Sequence, residues 1–122
     1  MTDINFIILY VADPAQSEAF YAKILGRSAV ESSPTFVMFA MSSGLTLGLW
    51  GRSGVKPAAN APGGGEIAFA VADNAALDAR CAEWREKDIP IVQPPTDMDF
   101  GRTFVALDPD GHRLRVFAPS AA

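Results

Sequence analysis

The sequence predicts an α+β fold built from two tandem βαβββ modules, and three observations carry that prediction. Shifting the 122-residue chain by 60 positions lays FIILYVADPAQSEAFYAKIL, residues 6 to 25, over EIAFAVADNAALDARCAEWR, residues 66 to 85, with seven of the twenty positions identical. Each copy reads as a short β-rich apolar run, an Asp able to cap the next turn, and apolar residues at helical spacing. After each helical stretch the pattern changes to alternation broken by turn residues, the mark of antiparallel strands.

In the first copy Asp13 caps a helix defined by Ala19, Phe20, Ile24 and, one turn earlier, Gln16, and Gly26 stops it. Strands follow at roughly SAVESS, TFVMFAM and LTLGLW, punctuated by Pro34 and by Ser42-Ser43-Gly44. The stretch GRSGVKPAANAPGGG has no apolar period and is expected to connect two halves that can pivot. It lacks the Lys-Ser/Thr ending of a phosphate loop and precedes a strand, where such a loop would open a helix. In the second copy Asp73 is the cap, Leu77, Cys81 and Trp84 line one helix face, and a strand begins near Ile89. IPIVQ, GRTFVAL, the turn DPDG and HRLRVF complete the module. The DFG at 99 to 101 has no kinase context and is given no role. The boundaries are one domain over 1–122, with module one at about 4–50, a linker at about 51–65 and module two at about 66–118.

Ten basic against fourteen acidic residues give a net charge of −4, and no basic block interleaves with aromatics, so neither nucleic acid nor an anionic membrane is an expected partner. The start MTDINFIILYVAD has no basic leader region, and no apolar stretch approaches the ~20 residues that span a bilayer, so a cytoplasmic location is expected. The single cysteine, Cys81, has no internal disulfide partner and reads as a helix-packing residue. No exposed apolar stripe or charged tail suits a protein partner, which leaves small molecules as the leading class.

The tandem modules, the Asp-Pro helix start, the FYAKILG helix ending and the final DPDG hairpin together resemble the vicinal oxygen chelate superfamily of glyoxalases, bleomycin resistance proteins and extradiol dioxygenases, over about residues 4 to 118. The resemblance implies curved mixed sheets around a ligand cleft, helices outside, and a homodimer. It also implies metal ligands at the start of the first strand of each module and on the last strand of each. Here those places hold Phe6, Glu66, the ligand-free stretch LTLGLW, and Arg115. Of these only Glu66 could bind a metal, and a permanently cationic arginine repels one. The sole histidine, His112, follows the turn glycine and reads as a turn or helix-side residue. No metal and no cofactor are expected.

Strand parity then assigns the cleft. Arg113 and Arg115 alternate with Leu114 and Val116, so the arginines project together opposite the core. Taking DPDG as a four-residue loop pairs Leu107 with His112, Val105 with Leu114 on the helix side, and Phe104 with Arg115 on the cleft side. Phe6, Ile8 and Tyr10, Glu66 with Ala68 and Ala70, and Thr46, Gly48 and Trp50 line the cleft by the same parity. Arg102 shares the cleft parity, and the side taken by Phe36 and Met38 is open. Glu66 and Arg115 admit two compatible readings, a salt bridge across the module interface and a pair of ligand contacts.

The segments GLW and FGRTFVALDPDGHRLRV look like the phenazine-antibiotic resistance branch, whose members bind drug without metal and stack a tryptophan at the end of the fourth strand on a tricyclic ligand. Trp50 is carried over on that basis. The expected function is metal-free sequestration of a planar aromatic, phenazine-like antibiotic, through Trp50, Phe6, Tyr10, Glu66, Phe104 and Arg115, with no catalytic residue. The alternative is a lyase, isomerase or dioxygenase of the superfamily, either a metalloenzyme recruiting Glu66 or a metal-independent isomerase with Glu66 as base and Arg115 facing an oxyanion.

Overall fold

The computed structural model describes residues 3 to 120. They form β1 (Phe6–Val11), α1 (Pro14–Leu25), β2 (Glu31–Ser32), β3 (Phe36–Ala40), β4 (Thr46–Gly51), β5 (Glu66–Ala70), α2 (Asn74–Glu86), β6 (Ile91–Met98), β7 (Gly101–Leu107) and β8 (Arg113–Pro119), with a short 3-10 turn at Arg52–Gly54. The chain divides after Pro62 into two compact units. Each holds one helix and one four-stranded sheet, in the order β1-β4-β3-β2 and β5-β8-β7-β6. In both, the first strand lies parallel to the last and the remaining pairs are antiparallel. The sequence repeat is therefore a repeat of topology, and the two-module α+β fold stands.

Both aspartates cap as the repeat predicts. The Asp13 carboxylate accepts from the N–H groups of Ala15 and Gln16 at 3.0 and 3.4 Å, and Pro14 occupies the first turn, where its missing N–H costs nothing. Asp73 accepts from Ala76 N–H at 2.8 Å. Gly26, at φ 66°, ends α1 and returns its N–H to the Ala22 carbonyl. The buried face of α1 differs from the expected one: Pro14, Ser17 and Tyr21 meet the sheet, while Gln16 and Ala19 are exposed. A wholly buried tyrosine ring covers far more of the sheet than an alanine can, and this outweighs the simple apolar count.

In the first unit α1 covers Val11, Val37, Phe39, Leu47 and Leu49, all buried. In the second, Leu77, Cys81 and Trp84 of α2 lie buried as expected. The Trp84 ring meets Phe69 and Phe104 edge-on, with centroids 5.9 and 5.4 Å away. β6 runs beyond IPIVQ through Pro94 and Pro95 to Met98, with register shifts on both sides of Gln93. An edge strand tolerates prolines because one row of its N–H groups has no ladder partner.

The β7–β8 hairpin corrects the expected register. Leu107 pairs with Arg113, not His112, because the Asp108 N–H donates to the His112 carbonyl and the Asp108 carboxylate accepts from the N–H groups of Asp110 and His112. With five residues, not four, between the ladder ends, every later pair shifts by one and each side chain of β7 changes face relative to β8. Val105 pairs with Arg115 and Phe104 with Val116.

Candidate ligand-binding site

Each sheet has a face turned away from its helix. In the first unit that face is built from three rows in register: Phe6, Thr46 and Ala40; Ile8, Gly48 and Met38; Tyr10, Trp50 and Phe36. Phe36 and Met38 thus share the side of Trp50, which the sequence left open. Gly48 shapes the surface. A Cβ there would stand 2.7 Å from the Phe36 ring and 2.8 Å from the Phe6 ring, so the bare backbone lets both rings fold inward across β4. Phe6 and Phe36 come to 6.4 Å between centroids, tilted by 34°. Trp50 stands edge-on between Tyr10 and Phe36, at 77° and 80°. Phe6 and Ile8 keep 41% and 44% of their surface exposed. Four aromatic rings on the face turned away from the helix offer burial and offset stacking to a flat apolar guest.

In the second unit the corresponding face carries Glu66, Ala68 and Ala70 from β5, Arg113, Arg115 and Phe117 from β8, and Thr103 and Val105 from β7. Arg115 grips Glu66 by a fork, Nε to Oε1 at 2.8 Å and Nη2 to Oε2 at 3.0 Å. Its Nη1 donates to Thr103 Oγ1 at 3.1 Å and to Gln93 Oε1 at 3.3 Å. Thr103 in turn donates to the Val116 carbonyl. The fork holds the Glu66 carboxyl below the usual carboxylate range and raises Arg115 above its ordinary value. The Phe100 ring lies 5.9 Å from the guanidinium carbon and meets Phe117 edge-on at 6.3 Å.

Several expectations change on this geometry. Phe104 is fully buried under Trp84 on the helix side, so it does not share a face with Arg115. Arg102 also lies on the helix side, donating to Asp78 of α2 and to Asp97. Both corrections come from the one-residue shift of the hairpin. The Glu66–Arg115 salt bridge forms, but between neighbouring strands of one unit and not across a module interface. Sequence reasoning missed Gln93 and Thr103, whose polar side chains stand where strand alternation alone gives no signal. It also missed Phe100, which sits in a turn.

The residues at the superfamily's metal positions do not fit a divalent cation. Phe6 and Arg115 offer no lone pair, and both Glu66 oxygens already accept from Arg115. Among the described residues no three His, Cys, Asp or Glu side chains gather to hold an ion. No helix among them is long and apolar enough to cross a membrane.

The model of the Glyoxalase/Bleomycin resistance protein/Dioxygenase superfamily matches residues 3–116. The phenazine antibiotic resistance protein EhpR of Enterobacter agglomerans is 34% identical over 116 residues, which cover 92% of this chain and 88% of that one. The solution NMR structure of an Agrobacterium tumefaciens protein matches with a TM-score of 0.91 at 48% identity, over 99% of this chain and 100% of the other. A glyoxalase-related enzyme from Fulvimarina pelagi shares the fold at a TM-score of 0.85 and 20% identity, over 97% and 88% of the two chains.

Proposed function

The chain belongs to the glyoxalase/bleomycin resistance protein/dioxygenase superfamily, and from that premise we propose that it binds a planar aromatic small molecule of the phenazine type and confers resistance by sequestering it. The observation that carries this reading is the aromatic face of the first unit, where Gly48 lets Phe6 and Phe36 close in while Trp50 stands between Tyr10 and Phe36. Such a surface suits a flat ring system and supplies no reacting group. The identity with a phenazine resistance protein supports the same ligand class.

Trp50, Phe6 and Tyr10 are the proposed stacking contacts on the first unit, and on the second unit Glu66 and Arg115 are proposed to lie beside bound ligand while staying paired with each other. Phe104 leaves the set, because Trp84 covers it. The protein works in this reading as a cytoplasmic homodimer without a metal. The enzymatic alternative finds less support in Glu66: a carboxylate held in a fork by arginine, with its pKa lowered, is a poor proton acceptor.

Titration with phenazine-1-carboxylate tests the reading. Trp50 is half-buried on the open face and Trp84 is wholly buried, so saturable quenching is expected in the wild type and in Trp84→Phe, and is lost in Trp50→Phe. An absence of saturable quenching by phenazine-1-carboxylate and by unsubstituted phenazine overturns the proposal.

A further inference from the structure

The turn Asp99-Phe100 joins β6 to β7 beside the Arg115 fork, and the proposed function gives it no role. It holds a phenylalanine with 45% of its surface exposed, in a turn fixed from both flanks. Gly101 has a φ of 138°, and any side chain there would collide with the Ala118 carbonyl. Ser120 N–H donates to the Phe100 carbonyl at 3.0 Å. On the other flank Arg102 ties the hairpin to α2 through Asp78 at 2.8 Å and to Asp97 at 3.1 Å. An exposed phenyl ring on a braced turn loses little conformational freedom when a ligand covers it, and that favours contact.

The internal repeat supplies an independent argument. Offsetting by 60 positions matches Phe6 with Glu66, Ile8 with Ala68 and Tyr10 with Ala70. The strand registers carry the match across each sheet: Ile8 pairs with Gly48 where Ala68 pairs with Arg115, and Tyr10 pairs with Trp50 where Ala70 pairs with Phe117. Phe117 therefore occupies in the second sheet the place that Trp50 occupies in the first. The bulk is redistributed, with large residues beside a central glycine in one sheet and small alanines beside a central arginine in the other. Beside Phe117 the Phe100 ring completes a second aromatic surface, over a guanidinium with four of its N–H donors already engaged.

We propose that Phe100 and Phe117 form a second ring-stacking surface for planar aromatic molecules, carried by the second unit, with the pinned Arg115 guanidinium beneath Phe100. This rests on the reading that the chain binds planar aromatics and adds to it which residues of the second unit take part. Because Arg115 is held by Glu66, Gln93 and Thr103, the guest meets it through the Phe100 ring and not by a salt bridge.

The test is isothermal calorimetry with phenazine-1-carboxylate on the full chain, comparing wild type with Phe100→Leu and Phe100→Tyr. Leucine keeps apolar cover over Arg115 but removes the ring; tyrosine keeps the ring. The expected result is a loss of about tenfold in affinity for Phe100→Leu, as removal of a stacking partner implies, with Phe100→Tyr restoring binding. An affinity for Phe100→Leu within twofold of wild type, or equal losses in both variants, overturns the inference and leaves the proposed function standing. A wild type that binds neither phenazine-1-carboxylate nor phenazine overturns the proposed function and this inference with it.

Discussion

Arg115 stands where the superfamily resemblance implies a carboxylate metal ligand, and its neighbours are acceptors that suit a cation. Glu66, Gln93 and Thr103 all turn oxygen atoms toward the guanidinium, so a cation of fixed shape stands among acceptors suited to one. The fork lowers the Glu66 pKa, which means that the unfolded chain binds a proton at this site more readily than the folded one. Stability from the pair is complete above the ordinary carboxylate pKa and is lost as pH falls through the lowered value. Both side chains keep partial contact with water, at 20% and 32% exposure, so the contribution is modest. Glu66→Gln is expected to cost about 1 kcal/mol of unfolding free energy at pH 7, and the gap should close as pH falls below the ordinary carboxylate range. Urea titrations of both proteins across that range measure it, and a pH-independent gap would contradict the assigned ion pair. Glu66 and Arg115 could be picked from the sequence because each is a charge on a strand otherwise made of apolar or small residues. Their acceptor partners could not, because a lone Gln or Thr on a strand looks like any surface residue.

Helices and strands were legible where local chemistry decides them. The aspartate caps, the glycine stop of α1 and the Leu77, Cys81 and Trp84 face of α2 follow from spacing alone. Register was not legible, because it depends on a turn whose length is set by hydrogen bonds: the Asp108 carboxylate takes the N–H groups of Asp110 and His112 and adds one residue to the loop. That single residue moved Phe104 and Arg102 to the helix side. β4 offers the matching experiment. Gly48→Ala puts a methyl group within 3 Å of the Phe6 and Phe36 rings, and both are side chains that can swing away. The stability cost is expected to stay within about 1–3 kcal/mol, while the displaced rings spoil the stacking surface. A large loss of phenazine-1-carboxylate affinity with a modest shift in thermal unfolding supports the assigned face. Unchanged affinity would place the ligand elsewhere.

Across the whole molecule one βαβββ plan is used twice and given different chemistry each time. Where the first sheet has an aromatic surface around Gly48, the second has a polar nest around Arg115, so the two units share a scaffold and the central residue of each sheet sets its character. The nest can be converted by one substitution. Arg115→Glu removes the cation from Glu66, Gln93 and Thr103 and adds a second carboxylate, leaving oxygen donors of the kind that hold hard divalent ions. Two carboxylates at about 4 Å repel by roughly 4 kcal/mol at an effective dielectric of 20, and a bound cation relieves that repulsion. A ligand that binds only the folded state raises the unfolding midpoint. Arg115→Glu should therefore lose stability in chelator and regain it with millimolar manganese, while the wild type shows no such gain. Arg113→Glu keeps the Arg115 fork on Glu66 and is expected to respond far less, although its backbone pairs directly with that residue. Thermal unfolding of the three proteins with manganese and with chelator reads the difference, and equal responses of the two variants would show that the acceptors around Arg115 do not form the nest described.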